Sequence, residues 1–297
     1  MDLLTKLLKL NLSLINKLAD KCSVENSRIT MDKLGKIISY RYKSHITYRK
    51  INSPDFQAEY IIPRKSRFDG IILYLHGGGY VLGGMDYAKG FGTLLAANIN
   101  IAVCCLAYRL APENKFPAAL IDAYNAYCYL LKSGYSSKNI ILCGESAGGG
   151  LVYALALELK LKNCLMPSGI IAISPWSNLT LSGESYNKNY KKDPSMTKKR
   201  LQSYVQMYTE QVRLPYVSPV FGDFSGFPPS LIFAGADEIL LSDSVNLHQK
   251  LISCGCRSIL NIAPEMWHVY LMYRVKEAEQ DYKKINDFLE DVLYEDQ

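Results

Sequence analysis

The stretch Gly144-Glu145-Ser146-Ala147-Gly148 closes a short apolar run at residues 140–143, and a helical pattern (Leu151, Ala154, Leu155, Leu159) follows without a linker. A strand that becomes a helix within about one residue needs glycines at the corner, because side chains there would strike the neighbouring backbone. Such a corner lifts Ser146 Oγ clear of the strand end, with a helix N-terminus behind it. The chemistry on offer is nucleophilic attack. A neutral hydroxyl is a weak nucleophile, so Ser146 requires a base, and the base requires a carboxylate to orient it.

The chain has four histidines. His45 precedes a hairpin and is expected at the surface. His76 ends an apolar run and leads into three glycines. His248 falls in the middle of a helical stretch, away from the strand ends. His268 follows the last apolar run, in Pro264-Glu265-Met266-Trp267-His268. Nucleophile, acid and histidine follow in that order in a doubly wound hydrolase, and order with position selects His268 as the base. The acid should lie just past the preceding strand. There Ala234-Gly235-Ala236-Asp237-Glu238 offers two carboxylates, and Asp237, nearer the strand end, is preferred to Glu238. Asp243 is assigned to capping or opening the next helix.

Attack on an ester builds negative charge on the carbonyl oxygen, which preorganised N–H groups must meet. His76-Gly77-Gly78-Gly79 after a strand lets the backbone approach a ligand closely. The expected oxyanion hole is the N–H groups of Gly77 and Gly78 with that of Ala147, the residue after the nucleophile.

The elements that must position these residues can be read from the spacing of apolar residues. Runs at 71–75, 99–107, 140–143, 170–174, 231–234 and 258–262 alternate with helical patterns at 86–97, 117–133, 147–162, 242–254 and 275–293. Near-continuous apolar strands joined by helices mean a mostly parallel central sheet flanked by helices on both faces. Active sites in such sheets lie at the carboxyl ends of the strands. Ahead of them, residues 46–51 and 56–62, separated by Asn52-Ser53-Pro54-Asp55, read as an antiparallel hairpin at a sheet edge. Residues 177–213 break the alternation. They carry Lys188, Lys191, Lys192, Lys198, Lys199 and Arg200, read as a solvated face, and a helix expected to start at Pro194.

Composition narrows the class. The chain has 297 residues, a net charge of +6 and no basic stripe with interleaved aromatics, which argues against nucleic acid as partner. Cys104, Cys105, Cys128 and Cys143 sit in apolar runs, and Cys254-Gly-Cys256 has neither redox nor zinc-knuckle spacing. Free thiols and a cytoplasmic location are expected, with no metal and no organic cofactor. Leu3, Leu4, Leu7, Leu8, Leu14, Ile15 and Leu18, interrupted by Lys6, Lys9, Asn11, Asn16 and Lys17, form an amphipathic helix, too polar for a membrane span. It is expected to pack over its own protein, with weak contact to a membrane surface as the lesser reading. An open sheet edge near the last strand could pair in a homodimer.

Taken together, His76-Gly77-Gly78-Gly79-Tyr80, Tyr108-Arg109-Leu110-Ala111-Pro112-Glu113, Phe116-Pro117-Ala118-Ala119, Gly144-Glu145-Ser146-Ala147-Gly148-Gly149, Ser174-Pro175-Trp176 and Phe227-Pro228-Pro229 resemble the bacterial hormone-sensitive-lipase-like (family IV) carboxylesterases of the α/β-hydrolase superfamily. The resemblance implies an α/β-hydrolase fold and a serine carboxylester hydrolase. It implies Ser146, Asp237 and His268 as triad and Gly77, Gly78 and Ala147 as oxyanion hole. It also implies one domain, with a core at about 43–176 and 214–297 and a helical cap at about 1–42 plus 177–213. The chain departs from the family at Asp237-Glu238-Ile239, where Asp-Pro-Leu is frequent, and at His268-Val269-Tyr270, where His-Gly-Phe is. Short- to medium-chain acyl esters are the expected substrates. The alternatives are a lactone, amide or peptide hydrolase with the same triad, or a non-catalytic binding protein on the same scaffold.

Overall fold

The computed structural model describes residues 3–19, 22–273 and 275–294; residues 1, 2, 20, 21, 274 and 295–297, several of which fall in the expected cap and core ranges, lie outside the described residues. Two helices come first, α1 (Leu3–Ala19) and α2 (Val24–Tyr42), then the strands β1 (Ile46–Ile51), β2 (Gln57–Pro63) and β3 (Ile71–Leu75). Strand and helix then alternate through α3 (Met85–Ile99), β4 (Ala102–Ala107), α4 (Ala118–Lys132), β5 (Ile140–Glu145), α5 (Ala147–Leu161) and β6 (Gly169–Ile173). An insertion with α6 (Ser185–Lys188) and α7 (Lys198–Tyr208) precedes β7 (Ser230–Gly235), α8 (Leu241–Ser253), β8 (Ser258–Ala263) and α9 (Lys276–Tyr294).

The eight strands form one sheet in the order β1-β2-β4-β3-β5-β6-β7-β8, antiparallel at β1–β2 and β2–β4 and parallel elsewhere. Every residue of β3, β5, β6 and β7 is buried, as strands covered on both faces require. Side chains alternate across the pleat. Ile71, Leu73 and Leu75 join the core with α4, α5 and α8, whereas Ile72 and Tyr74 join the core with α3 and α9. The sheet therefore has the fold expected from the apolar runs, with β1 and β8 at its edges.

Two expectations about the helices change. The helix of the insertion begins at Lys198 instead of Pro194, because Thr197 Oγ1 caps it by accepting the Arg200 N–H, while Asp193 Oδ1 organises the preceding turn through the Ser195 and Met196 N–H groups. In α1, Leu8 and Leu12 pack on the core, but Leu3, Leu4, Leu7, Leu10, Leu14 and Ile15 face solvent. Leucines occupy positions nearly all round this helix, and contact along one side buries a single stripe. By contrast, α2 lies directly on α3. A Cβ at Gly35 would sit 2.0 Å from the Asp86 carbonyl oxygen, so the two backbones meet where only glycine fits.

Candidate active site

The corner between β5 and α5 has the predicted form. Ser146 sits at φ 55°, ψ −121°, a conformation L-residues avoid. It persists because Ser146 N–H donates to the Ile173 carbonyl (2.9 Å) and the Ser146 carbonyl accepts from Trp176 N–H (2.8 Å) and Gly150 N–H (3.1 Å). The flanking glycines are steric necessities. A Cβ at Gly144 would lie 2.3 Å from the Gly148 carbonyl oxygen, and one at Gly148 would lie 2.0 Å from that of Leu75.

His268 Nε2 stands 2.9 Å from Ser146 Oγ, within hydrogen-bond reach, although the residues are 122 apart in sequence. Burial pushes its imidazole down to about 3, so the ring is a neutral base. The other three histidines lie elsewhere. His45 is exposed, and His248 Nδ1 pairs with Ser258 Oγ at 2.9 Å. His76 is buried beneath the glycine loop, stacked on Tyr108 with ring centroids 4.2 Å apart, and burial holds it down to about 4.

The carboxylate facing His268 is that of Glu238, whereas that of Asp237, the acid preferred from the sequence, faces Lys9. Glu238 is fully buried, with Oε2 3.9 Å from His268 Nδ1. Asp237 points outward, where its Oδ2 accepts from Lys9 Nζ at 2.6 Å. The same ammonium donates to the Glu265 carbonyl at 3.2 Å, so α1 ties together the acid and histidine loops. Packing decides between the two acids. A Cβ at Gly235 would meet the Met266 carbonyl oxygen at 2.4 Å, and Asp237 N–H donates to that carbonyl, so the two loops touch through their backbones. From the insertion, Asn189 Nδ2 donates to the Ala236 and Glu238 carbonyls and Asp193 Oδ2 accepts the Ile239 N–H. These bonds hold the loop with the Glu238 side chain inward.

At 3.9 Å the Glu238–His268 pair is looser than a hydrogen bond, and His268 Nδ1 and Glu238 Oε1 are both buried without a hydrogen-bond partner among the described residues. Catalytic contacts of this kind often tighten only with substrate bound. Ser174 links the pieces. Its Oγ donates to Glu238 Oε2 at 2.6 Å and accepts from Val269 N–H at 3.0 Å, so one hydroxyl sets both the acid and the residue after the histidine. Burial pushes the Glu238 carboxyl up to about 8, against the pull of the Ser174 and Gly235 hydrogen bonds. Asp243, expected at the start of α8, is there, but its Oδ2 accepts from the Ser177 and Asn178 N–H groups after β6.

The N–H groups left without a hydrogen bond near Ser146 differ by one residue from the expected oxyanion donors Gly77, Gly78 and Ala147. Gly77 N–H is taken by Glu145 Oε1 at 2.5 Å and is not available to a ligand. The N–H groups of Gly78 and Gly79 have no hydrogen bond among the described residues, and Ala147, as first residue of α5, keeps the free N–H of a helix start. Gly78 at φ 108° and Gly79 at φ 65° turn the loop into the left-handed region that glycine tolerates. Tyr204 of α7 lies over it, since a Cβ at Gly79 would be 2.2 Å from its ring. Gly79, Glu145 and Ser174 escaped the sequence reading. Each stands inside a motif that was read, but its role depends on which atoms face it.

Among the described residues no group of three metal-ligating side chains occurs, no two cysteines are joined in a disulfide, and no helix is long and apolar enough to cross a membrane.

Comparison with known proteins gives the same fold. A family profile described as alpha/beta hydrolase fold matches residues 72–272. An esterase of Acinetobacter venetianus is 35% identical over 223 residues, covering 73% of this chain and 74% of the esterase. An acetyl-hydrolase of Streptomyces hygroscopicus is 35% identical over 219 residues, covering 73% of each chain. Among solved structures, an esterase from the bacterial hormone-sensitive lipase family superposes with TM-score 0.86 at 33% identity over 92% of each chain. A hormone-sensitive lipase from a metagenome library gives 0.87 at 32% identity, over 95% of this chain and 97% of the other.

Proposed function

Since the chain belongs to the hormone-sensitive-lipase-like carboxylesterases of the α/β-hydrolase fold, we propose that it cleaves short- to medium-chain acyl esters through an acyl-enzyme on Ser146. The observation that carries the reading is the 2.9 Å contact between His268 Nε2 and the Ser146 hydroxyl at a strained corner. His268 takes the Ser146 proton as Oγ attacks the ester carbonyl carbon. Glu238 holds the imidazole and stabilises the imidazolium, and the N–H groups of Gly78, Gly79 and Ala147 meet the oxyanion. The intermediate collapses, the C–O bond to the alcohol breaks, and the alcohol leaves with the proton from His268. Water, deprotonated by His268, then attacks the acyl-enzyme and releases the acid, returning the proton to Ser146.

Residues 1–42 and 177–213 serve as the cap in this reading. Tyr204 covers the oxyanion loop, Lys9 binds the acid and histidine loops, and Arg200 donates to the Asn16 carbonyl between α7 and α1. A cleft of about 190 Å³ between α2 and α7 is lined by Val24, Leu82, Tyr204 and Met207, next to the glycine loop. Labelling by a fluorophosphonate probe is the direct test, with stoichiometric adduct on Ser146 expected. A chain that stays unlabelled while binding an ester would be a binding protein instead. Turnover across acyl esters of increasing length, a lactone and an anilide identifies the preferred bond; faster lactone or anilide cleavage would displace the ester reading.

The outward face of α1 supports a partner. Leu3, Leu4, Leu7, Leu10, Leu14 and Ile15 are exposed beside Lys6, and the helix carries no acidic residue, a pairing that suits an anionic lipid surface. The protein should pellet with phosphatidylglycerol vesicles, and Leu7→Glu with Leu14→Glu should leave it in the supernatant. Pelleting unchanged by that pair, or none at all, removes the lipid reading. Light scattering on the same samples tests the homodimer, for which the open edge of β8 offers Ile259 and Ile262. Eight cysteines with no disulfide among them fit a reducing, cytoplasmic location.

A further inference from the structure

Glu145 stands beside the nucleophile, is fully buried, and has no role in the acyl-transfer steps. Any residue type satisfies the second position of the corner motif, and an apolar one would avoid the desolvation that a buried carboxylate suffers. Three donors converge on this one. Tyr74 OH reaches Oε2 at 2.6 Å, while Tyr87 OH at 3.0 Å and Gly77 N–H at 2.5 Å reach Oε1.

The Gly77 bond falls on a peptide group already held at its other end. That peptide joins His76 to Gly77, and its carbonyl oxygen accepts from Tyr108 OH at 2.6 Å. Both its polar atoms are therefore fixed, the oxygen by β4's trailing loop and the N–H by the residue next to Ser146. Just beyond it come Gly78 and Gly79, which lack side chains to hold them and whose N–H groups must point at the oxyanion. Gly77 itself is pressed against the corner. A Cβ there would lie 2.7 Å from Glu145 Oε1 and 3.0 Å from Ser146 Cβ.

We infer that Glu145 is a positioning residue for the oxyanion hole: by accepting the Gly77 N–H it fixes the peptide plane from which the Gly78 and Gly79 N–H groups are aimed at the oxygen of the carbonyl whose carbon Ser146 attacks. The inference rests on the ester-hydrolase reading, because it gives those N–H groups their work. Tyr74 and Tyr87 keep the carboxylate from turning, so Glu145 registers the glycine loop to the nucleophile, while His76 Nδ1, 2.7 Å from the Gly77 carbonyl oxygen, holds the next peptide. The part that matters is an acceptor atom at Oε1, not the charge.

Two substitutions separate these features. Glu145→Gln keeps an oxygen that can accept the Gly77 N–H, whereas Glu145→Leu has similar bulk and no acceptor. For the leucine variant, kcat on a short p-nitrophenyl ester should fall about 10²-fold with KM within about threefold. Affinity for a trifluoromethyl ketone, whose hemiketal oxygen occupies the oxyanion position, should fall in parallel. The glutamine variant should stay within about tenfold of wild type in both measurements. If the leucine variant does not fold, Tyr87→Phe removes one of the three donors and should lower kcat and ketone affinity together. A folded leucine variant, or Tyr87→Phe, with wild-type kcat and ketone affinity overturns the inference. So does a loss confined to KM, or a glutamine variant as impaired as leucine. Absence of ester turnover and of ketone binding in the wild type would instead overturn the functional reading, and this inference with it.

Discussion

Replacing Ser146 with alanine removes ester turnover, with an expected fall in kcat on the order of 10⁶-fold. The size follows from the way the residues act as a unit. Without Oγ there is no atom for the carbonyl carbon to bond to, and His268, 2.9 Å away, has no proton to accept from it. The N–H groups at the helix start and on the glycine loop remain, and their residual stabilisation sets the floor of activity. The fold should survive, because the bonds that hold the corner come from the Ser146 backbone N–H and carbonyl and not from its side chain. Steady-state assay with a short p-nitrophenyl ester, beside a thermal melt, decides the matter. A folded alanine variant that keeps more than about one hundredth of wild-type kcat would mean that another group is the nucleophile.

The second large effect separates two adjacent acids. Glu238→Gln should lower kcat by roughly 10³- to 10⁴-fold, since an amide facing His268 Nδ1 neither holds the productive tautomer nor stabilises the imidazolium. Asp237→Asn should cost only a few-fold, because it breaks a partly exposed pair with Lys9, a kind of contact worth about 1 kcal/mol or less. The opposite ranking would return the role of acid to Asp237. A pH profile adds a second reading. His268 accepts a proton only above its own value, pushed down to about 3, and Glu238 supports the imidazolium only when ionised, above about 8. Both conditions favour higher pH, and the higher value governs. Wild-type activity should therefore rise as pH climbs toward about 8 and fall progressively below it, and Glu238→Gln should lose that limb. A limb that persists unchanged in the glutamine variant would assign it to another group.

These results bear on what a sequence can settle. The parallel sheet was readable because strands covered on both faces must be apolar throughout, as β3, β5, β6 and β7 are. The Ser146 corner was readable for a similar reason. Its sterics are local, and the clashes that exclude side chains at Gly144 and Gly148 arise within a few residues and from the adjacent strand β3. Chain order and position then singled out His268.

Choices between neighbours were not local. Asp237 and Glu238 are chemically alike and adjacent, and which one turns inward depends on Lys9 from α1, Asn189 and Asp193 from the insertion, and Ser174 from the end of β6. The same holds for the three glycines. All have a backbone N–H, and only the bond from Gly77 to Glu145, 68 residues later, shows which one is already spent. The helix α1 was legible as amphipathic, but which of its leucines would meet the core was set by the surface it lands on. Sequence alone determined the fold and the Ser146 corner and pointed to His268 as its partner, because sterics and apolar periodicity act along the chain. The tertiary structure decided which acid faces His268 and which glycine N–H is already bonded, because hydrogen bonds between distant segments consume one candidate and spare its neighbour.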